Sequence, residues 1–198
     1  MANVALVDNR KGVIPRLGRA YARRKFGQSV QPAQAAAHHS GVLVAMGALE
    51  TAVEKGWKKL DPELRWLAIQ ATSGRIGCSW CIDYGYYLGM HTRIDPRKVR
   101  AASAWRESTL FDDRERVVLD YAEQATATPA VVSEECVRRL HVHFSEAEIV
   151  ELAAWVALEN FRSRFNAGLG LQSQGFAQTC DVPLSAAPVR ADGVATSS

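Results

Sequence analysis

The sequence predicts an all-α helical bundle, on three observations. No stretch shows the alternating Val/Ile/Thr/Tyr runs between Asn-Gly or Asp-Gly turns that mark strands. Helix-start signals recur along the chain, as in Asp61-Pro62-Glu63, Asp95-Pro96 and Ser145-Glu146-Ala147-Glu148. Apolar residues after them follow helical spacing, as Val117, Val118, Tyr121, Ala122 and Ala125 do. With 198 residues, 47% hydrophobic and 23% charged, the chain suits one globular domain that needs no disulfide staples.

Residues 1–14 read as an arm, and helices are expected over 15–26 and 32–55. Asp61 as N-cap with Pro62 at the first helical position opens 61–75. A helix over 79–91 follows, and Asp95-Pro96 repeats the same device for 95–103. Asp112-Asp113-Arg114-Glu115 opens 112–126, and Ser133-Glu134-Glu135 opens 133–142. Ser145 and Glu148 have capping-box spacing at the head of 145–169. Leu171–Cys180 is irregular, which closes a helical domain over 15–182. The small, polar, Pro-containing stretch 183–198 reads as a disordered tail.

Composition narrows the function. A net charge of +3 is not a nucleic-acid signature, and Arg23-Arg24-Lys25 reads as a solvated face. The apolar runs Gly41–Leu49 and Leu152–Leu158 fall short of the roughly 18 residues a membrane span needs. Asp8 and Asn9 interrupt the start where a signal peptide would be continuously apolar, so a reducing, cytoplasmic setting is expected. Cys78, Cys81, Cys136 and Cys180 are accordingly read as thiols with possible chemistry.

The string Gly77-Cys78-Ser79-Trp80-Cys81-Ile82-Asp83-Tyr84-Gly85 carries most of that chemistry. A Cys-x-x-Cys pair at a helix start meets free N–H groups and partial positive charge, which stabilise a thiolate. The three-residue offset leaves the two sulfurs about 60° apart on adjacent turns, close enough to bond with little backbone movement. Two other readings stand beside redox chemistry: buried inert thiols, or half of a zinc site. The remaining ligand types, Cys136, Cys180, His141 and His143, are distant and form no second Cys-x-x-Cys.

The segment LDPELRWLAIQATSGRIGCSWCIDYG resembles the core of the carboxymuconolactone decarboxylase / alkylhydroperoxidase D superfamily, in which a helix leads into G-C-x-x-C-x-x-x-H. Phe111–Arg116 is similar to its F-(S/D)-D-R-E-R start. His143–Leu152 resembles its F-S-E-x-E-(I/L)-V-E-L run, and Asn160–Asn166 its terminal N-x-x-N-R-F-N helix. The resemblance covers about Leu43 to Phe176. It implies an all-helical homo-oligomer that reduces organic hydroperoxides. Cys81 would be the attacking thiol and Cys78 the resolving one, with an external dithiol as reductant and neither metal nor organic cofactor. Family relay residues are a Glu twelve before the first Cys and a His four after the second. Here those positions hold Trp66 and Gly85, which cannot transfer a proton, so the implied activity is weakened.

Substitute relay groups are sought nearby. Glu63 lies one turn before Trp66, and Tyr84 follows Cys81 at i+3. Their simpler readings are a first-turn acid and a packing aromatic. Asp83 points away from Cys81, while His38, His39, His141 and His143 are free to enter from other helices. Trp66 and Trp80 flank the thiols and suit an apolar substrate or plain packing. Gly85 and Gly89 leave a flat strip for a neighbouring helix or a ligand. Arg162 and Arg164, beside Asn160 and Asn166, suit an anionic substrate or acids at a subunit interface. Cys136 reads as a bystander and Cys180 as a free thiol. A lactone decarboxylase-like enzyme and an inactive oligomeric module remain the alternatives; retained thiols oppose the first, and the lost relay favours the second.

Overall fold

The computed structural model describes residues 2–7, 20 and 29–180, the side chains of 179 and 180 excepted. Among the described residues there are helices and no strands. They are α1 (Gln31–Ala36), α2 (Ser40–Gly56), α3 (Pro62–Ile76), α4 (Ser79–Met90) and α5 (Pro96–Ala101), then α6 (Asp113–Thr126), α7 (Glu134–His143) and α8 (Glu146–Gly168). Short 3₁₀ turns follow at Ala102–Ala104 and Ala177–Cys180. The expected helix over 15–26 lies outside the described residues but for Ala20, and the expected tail over 183–198 lies wholly outside them.

The starts fall where the capping chemistry put them. Asp61 and Asp95 each accept a hydrogen bond from the second residue of their helices, at 2.8 Å. Asp112 with Glu115, and Ser145 with Glu148, form reciprocal capping boxes. The single helix expected over 32–55 is instead two. His39 adopts extended backbone and caps α2, its ring Nδ1 accepting from Val42 N–H at 3.2 Å. A residue that spends its side chain on a cap cannot also continue the preceding helix. The segment 95–103 likewise tightens into a 3₁₀ turn after Ala101.

Helix α3 is central. It packs against α4, α6 and α8, and α6 packs on α7 and α8 in turn. Leu67, Val117, Val118, Leu119, Ala122 and Leu152 are fully buried between these helices. Each large aliphatic side chain so buried contributes roughly 1.5–3 kcal/mol. Helix α2 is the exception. Among its residues only Val53 is buried, and Val42, Val44 and Leu49 face outward. At the other end of the chain, Asn3 donates from its backbone to Leu169 O at 2.8 Å and from its side chain to Gly168 O at 3.0 Å. The arm residues thereby satisfy carbonyls at the end of α8.

Candidate active site

Two residues join α3 to α4. Gly77 ends α3 in the left-handed region, φ 77°, where a side chain would be strained. The chain reverses at once, and Cys78 becomes the N-cap of α4, its sulfur accepting from Cys81 N–H at 3.3 Å. Cys78 and Cys81 form a disulfide across a Cα–Cα distance of 5.3 Å. Cys78 is 1% exposed and Cys81 7%. From α8, the Asn166 amide donates to Cys81 Sγ at 3.2 Å. That bond is strongest when the sulfur is a thiolate, since a charged acceptor is worth more than a neutral one. Asn166→Ala is therefore expected to slow alkylation of reduced Cys81 at pH 7 by about tenfold, the equivalent of ~1.4 kcal/mol, measured by peptide-resolved mass spectrometry.

An apolar cluster surrounds the sulfurs, built from Val30, Trp80 and Phe176 with Tyr84 and Tyr87 against it. Trp80 stacks on Tyr84 at 5.2 Å, and Phe176 meets Tyr84 edge-on at 5.3 Å. Phe176 reaches the site because Asp83 anchors the segment that carries it. The fully buried Asp83 carboxylate accepts from Ser173 Oγ (2.7 Å) and from the backbone N–H of Gln174 (2.9 Å), Phe176 (3.1 Å) and Ala177 (2.7 Å). Gln174 fastens the same strap to Trp80 Nε1 and Gln31 N, both at 2.8–2.9 Å. The irregular stretch expected over Leu171–Cys180 is thus irregular and tightly docked.

The sequence candidates separate clearly. Tyr84 lies in the sulfur cluster, as a stacked ring. Glu63 lies at the opposite end of α3 from Cys78, about 20 Å away along the helix axis, and pairs with Lys98 at 3.1 Å. Trp66 belongs to the main core and not to the sulfur cluster. Its indole donates to Gly85 O at 2.8 Å, so the two positions at which the sequence resemblance implies relay groups face each other. The strip at Gly85 and Gly89 is filled by α3: a Cβ on Gly85 would overlap the Gln70 amide, and one on Gly89 would sit 2.7 Å from the Trp66 ring. Gly89→Ala is expected to destabilise the fold by about 1–3 kcal/mol, read as a lower Tm, because the bonded indole has nowhere to move.

The histidines named from the sequence are engaged away from the Cys78–Cys81 pair in the contacts described. His38 Nε2 bonds Ala5 O, His39 caps α2, His141 faces Glu146 and His143 packs on Phe144. Arg162 pairs with Glu50 of its own chain through two bonds, and Arg164 reaches Asn160 and Thr128. Cys136 is buried, with its thiol pushed up to about 11 by desolvation. The side chain of Cys180 lies outside those described.

Three residues make buried contacts the sequence reading did not assign: Asn166, Asp83 and Glu159. Glu159 is buried on α8 and accepts from Ser163 Oγ at 2.7 Å and Ser73 Oγ at 2.9 Å. Desolvation holds its carboxyl above the ordinary range, against the opposing pull of Arg162. The available signal was spacing: Glu159, Ser163 and Asn166 fall at i, i+4 and i+7, one face of one helix.

Comparison with known proteins agrees with this architecture. The carboxymuconolactone decarboxylase family model matches residues 41–124. The Escherichia coli protein YnjA is 29% identical over 161 residues, covering 81% of this chain and 87% of its own. Among solved structures, the debrominase Bmp8, as a cysteine-to-alanine variant with 2,3,4-tribromopyrrole, superposes with a TM-score of 0.77 at 22% identity, over 89% of this chain and 95% of that one. A peroxidase-related protein with an alkylhydroperoxidase AhpD core from Ralstonia eutropha gives 0.73 at 20% identity, over 86% and 90%. Residues 41–124 thus carry the carboxymuconolactone decarboxylase family pattern, and the chain around them has the all-helical fold of AhpD-like proteins.

Proposed function

We propose that the protein is a thiol peroxidase acting on apolar organic hydroperoxides. The observation that carries this reading is the Cys78–Cys81 pair at the head of α4, enclosed by aromatic rings, with one sulfur held by Asn166. Cys81 is the attacking thiol: it is the more exposed of the two and has the side-chain donor. Its thiolate forms an S–O bond with the terminal peroxide oxygen as the O–O bond breaks, and the alkoxide leaves with a proton as alcohol. The Cys78 thiol then attacks the sulfenic acid, expelling water and closing the disulfide. An external dithiol restores the pair by exchange, in a reducing cytoplasmic setting.

The test is one equivalent of cumene hydroperoxide added to reduced protein, followed by disulfide mapping. Rapid Cys78–Cys81 closure supports the reading; free thiols after prolonged exposure sink it. The debrominase likeness supports a second substrate class, since a halogenated pyrrole also suits the rings of Trp80, Tyr84 and Phe176. The same assay with 2,3,4-tribromopyrrole distinguishes the two by halide release.

We further propose that the protein is a homo-oligomer covered along α2. The outward Val42, Val44 and Leu49 support this, as a helix that shows apolar side chains to water is usually an interface. Val44→Asp is expected to lower the mass seen by light scattering after gel filtration.

A further inference from the structure

Every peroxide reduction must take a proton from the thiol and give one to the alkoxide, and Trp66 and Gly85, where the sequence resemblance implies relay groups, carry no titratable side chain. Helix α8 carries a buried carboxyl, Glu159, about two turns before the residue that touches Cys81 Sγ. Its ion pair with Arg162 is the longer of the two that this guanidinium makes. Arg162 directs its two short bonds to Glu50, at 2.7 and 2.5 Å, and stands 3.5 Å from Glu159. Ser163, fully buried, binds Glu159 at 2.7 Å and lies one turn from Asn166, which touches Cys81 Sγ. The three share the face of α8 turned toward α3 and α4.

We propose that Glu159, working through Ser163, is the proton store for the reaction at Cys81, while Asn166 holds the thiolate in place. The inference rests on the reading of Cys81 as a peroxide-reducing thiol. The ionised carboxylate accepts the Cys81 proton, giving thiolate and carboxylic acid. As the sulfur is oxidised and the O–O bond is reduced, the carboxylic acid returns that proton to the departing alkoxide, so the cycle closes with Glu159 ionised again. Desolvation, which holds Glu159 above the ordinary carboxylate range, brings it nearer a thiol and makes it a better exchange partner. Ser73 supplies its second hydroxyl donor from α3, and Arg162 with Glu50 supplies the charges behind it. Around Cys81 the other titratable groups are Cys78, Tyr84 and Tyr87 in the same cluster, and Asp83, whose carboxylate is turned to the strap.

The test compares two reactions of the same sulfur in the reduced protein. Oxidation by cumene hydroperoxide needs a proton delivered to the leaving group; alkylation by iodoacetamide does not. Glu159→Gln keeps the shape and the serine contacts. It is expected to slow single-turnover oxidation about a hundredfold and to remove one limb of its pH profile, while alkylation at about pH 10, where the thiol ionises without a base, is not slowed. Ser163→Ala is expected to act in the same direction and carries the test where the glutamine variant does not fold. Wild-type oxidation rates in Glu159→Gln overturn the inference, and so does an equal slowing of both reactions, which marks a structural role. Wild-type protein inert to hydroperoxide overturns the peroxidase reading instead, so the two failures are told apart.

Discussion

Replacing Cys81 with serine is expected to abolish hydroperoxide turnover, by at least about a thousandfold, because no other group forms the S–O bond. Cys78→Ser is expected to behave differently. One equivalent of hydroperoxide is consumed and a sulfenic acid persists on Cys81, trapped by dimedone, because the resolving thiol is gone. The pair of variants, assayed for peroxide loss and dimedone adducts, assigns the roles. If Cys78→Ser loses the first equivalent and Cys81→Ser retains it, the attacking sulfur is Cys78, whose N-cap position also offers a backbone donor. If neither loses it, the dithiol is not the peroxide site.

Asp83→Ala is expected to cost about 3–5 kcal/mol of stability, measured by urea unfolding. Three backbone N–H groups and the Ser173 hydroxyl lose their shared acceptor, a fully buried carboxylate. The substitution also releases Phe176 from the sulfur cluster, so alkylation of the reduced cysteines is expected to speed up. Asp83→Asn keeps one acceptor oxygen and sets an amide against the remaining donors, so a smaller loss is expected. A stability change below about 1 kcal/mol for the alanine variant would show that the strap is held elsewhere, by Gln174 and its partners.

What the sequence made legible was local chemistry. Asp61, Asp95, Asp112, Ser133 and Ser145 each begin a helix because a cap acts within three residues, and such contacts are written in the chain itself. The disulfide-forming pair at a helix start is local in the same sense. The contacts that escaped join residues far apart in sequence. Asn166 meets Cys81 across 85 residues and Asp83 meets Ala177 across 94. No periodicity announces such pairs. Glu63 was a natural candidate because it shares a helix with Trp66, but it stands at the opposite end of α3 from Cys78 and pairs there with Lys98. The break at His39 was missed for a related reason: histidine acts as a cap there only in the particular turn that Ala37 and His38 allow.

The division of the interior into two clusters has a spectroscopic consequence. Trp66, Trp105 and Trp155, with Trp57 packed against them, belong to the main core, whereas Trp80 alone shares the small cluster with both sulfurs. A disulfide quenches a neighbouring indole by accepting an electron from its excited state, and a dithiol does so far less. Tryptophan emission of the intact protein is therefore a built-in redox gauge, in which four indoles give a steady background and one brightens on reduction. Trp80→Phe, which keeps a ring in the stack on Tyr84, is the variant in which that signal disappears while the chemistry at Cys81 continues.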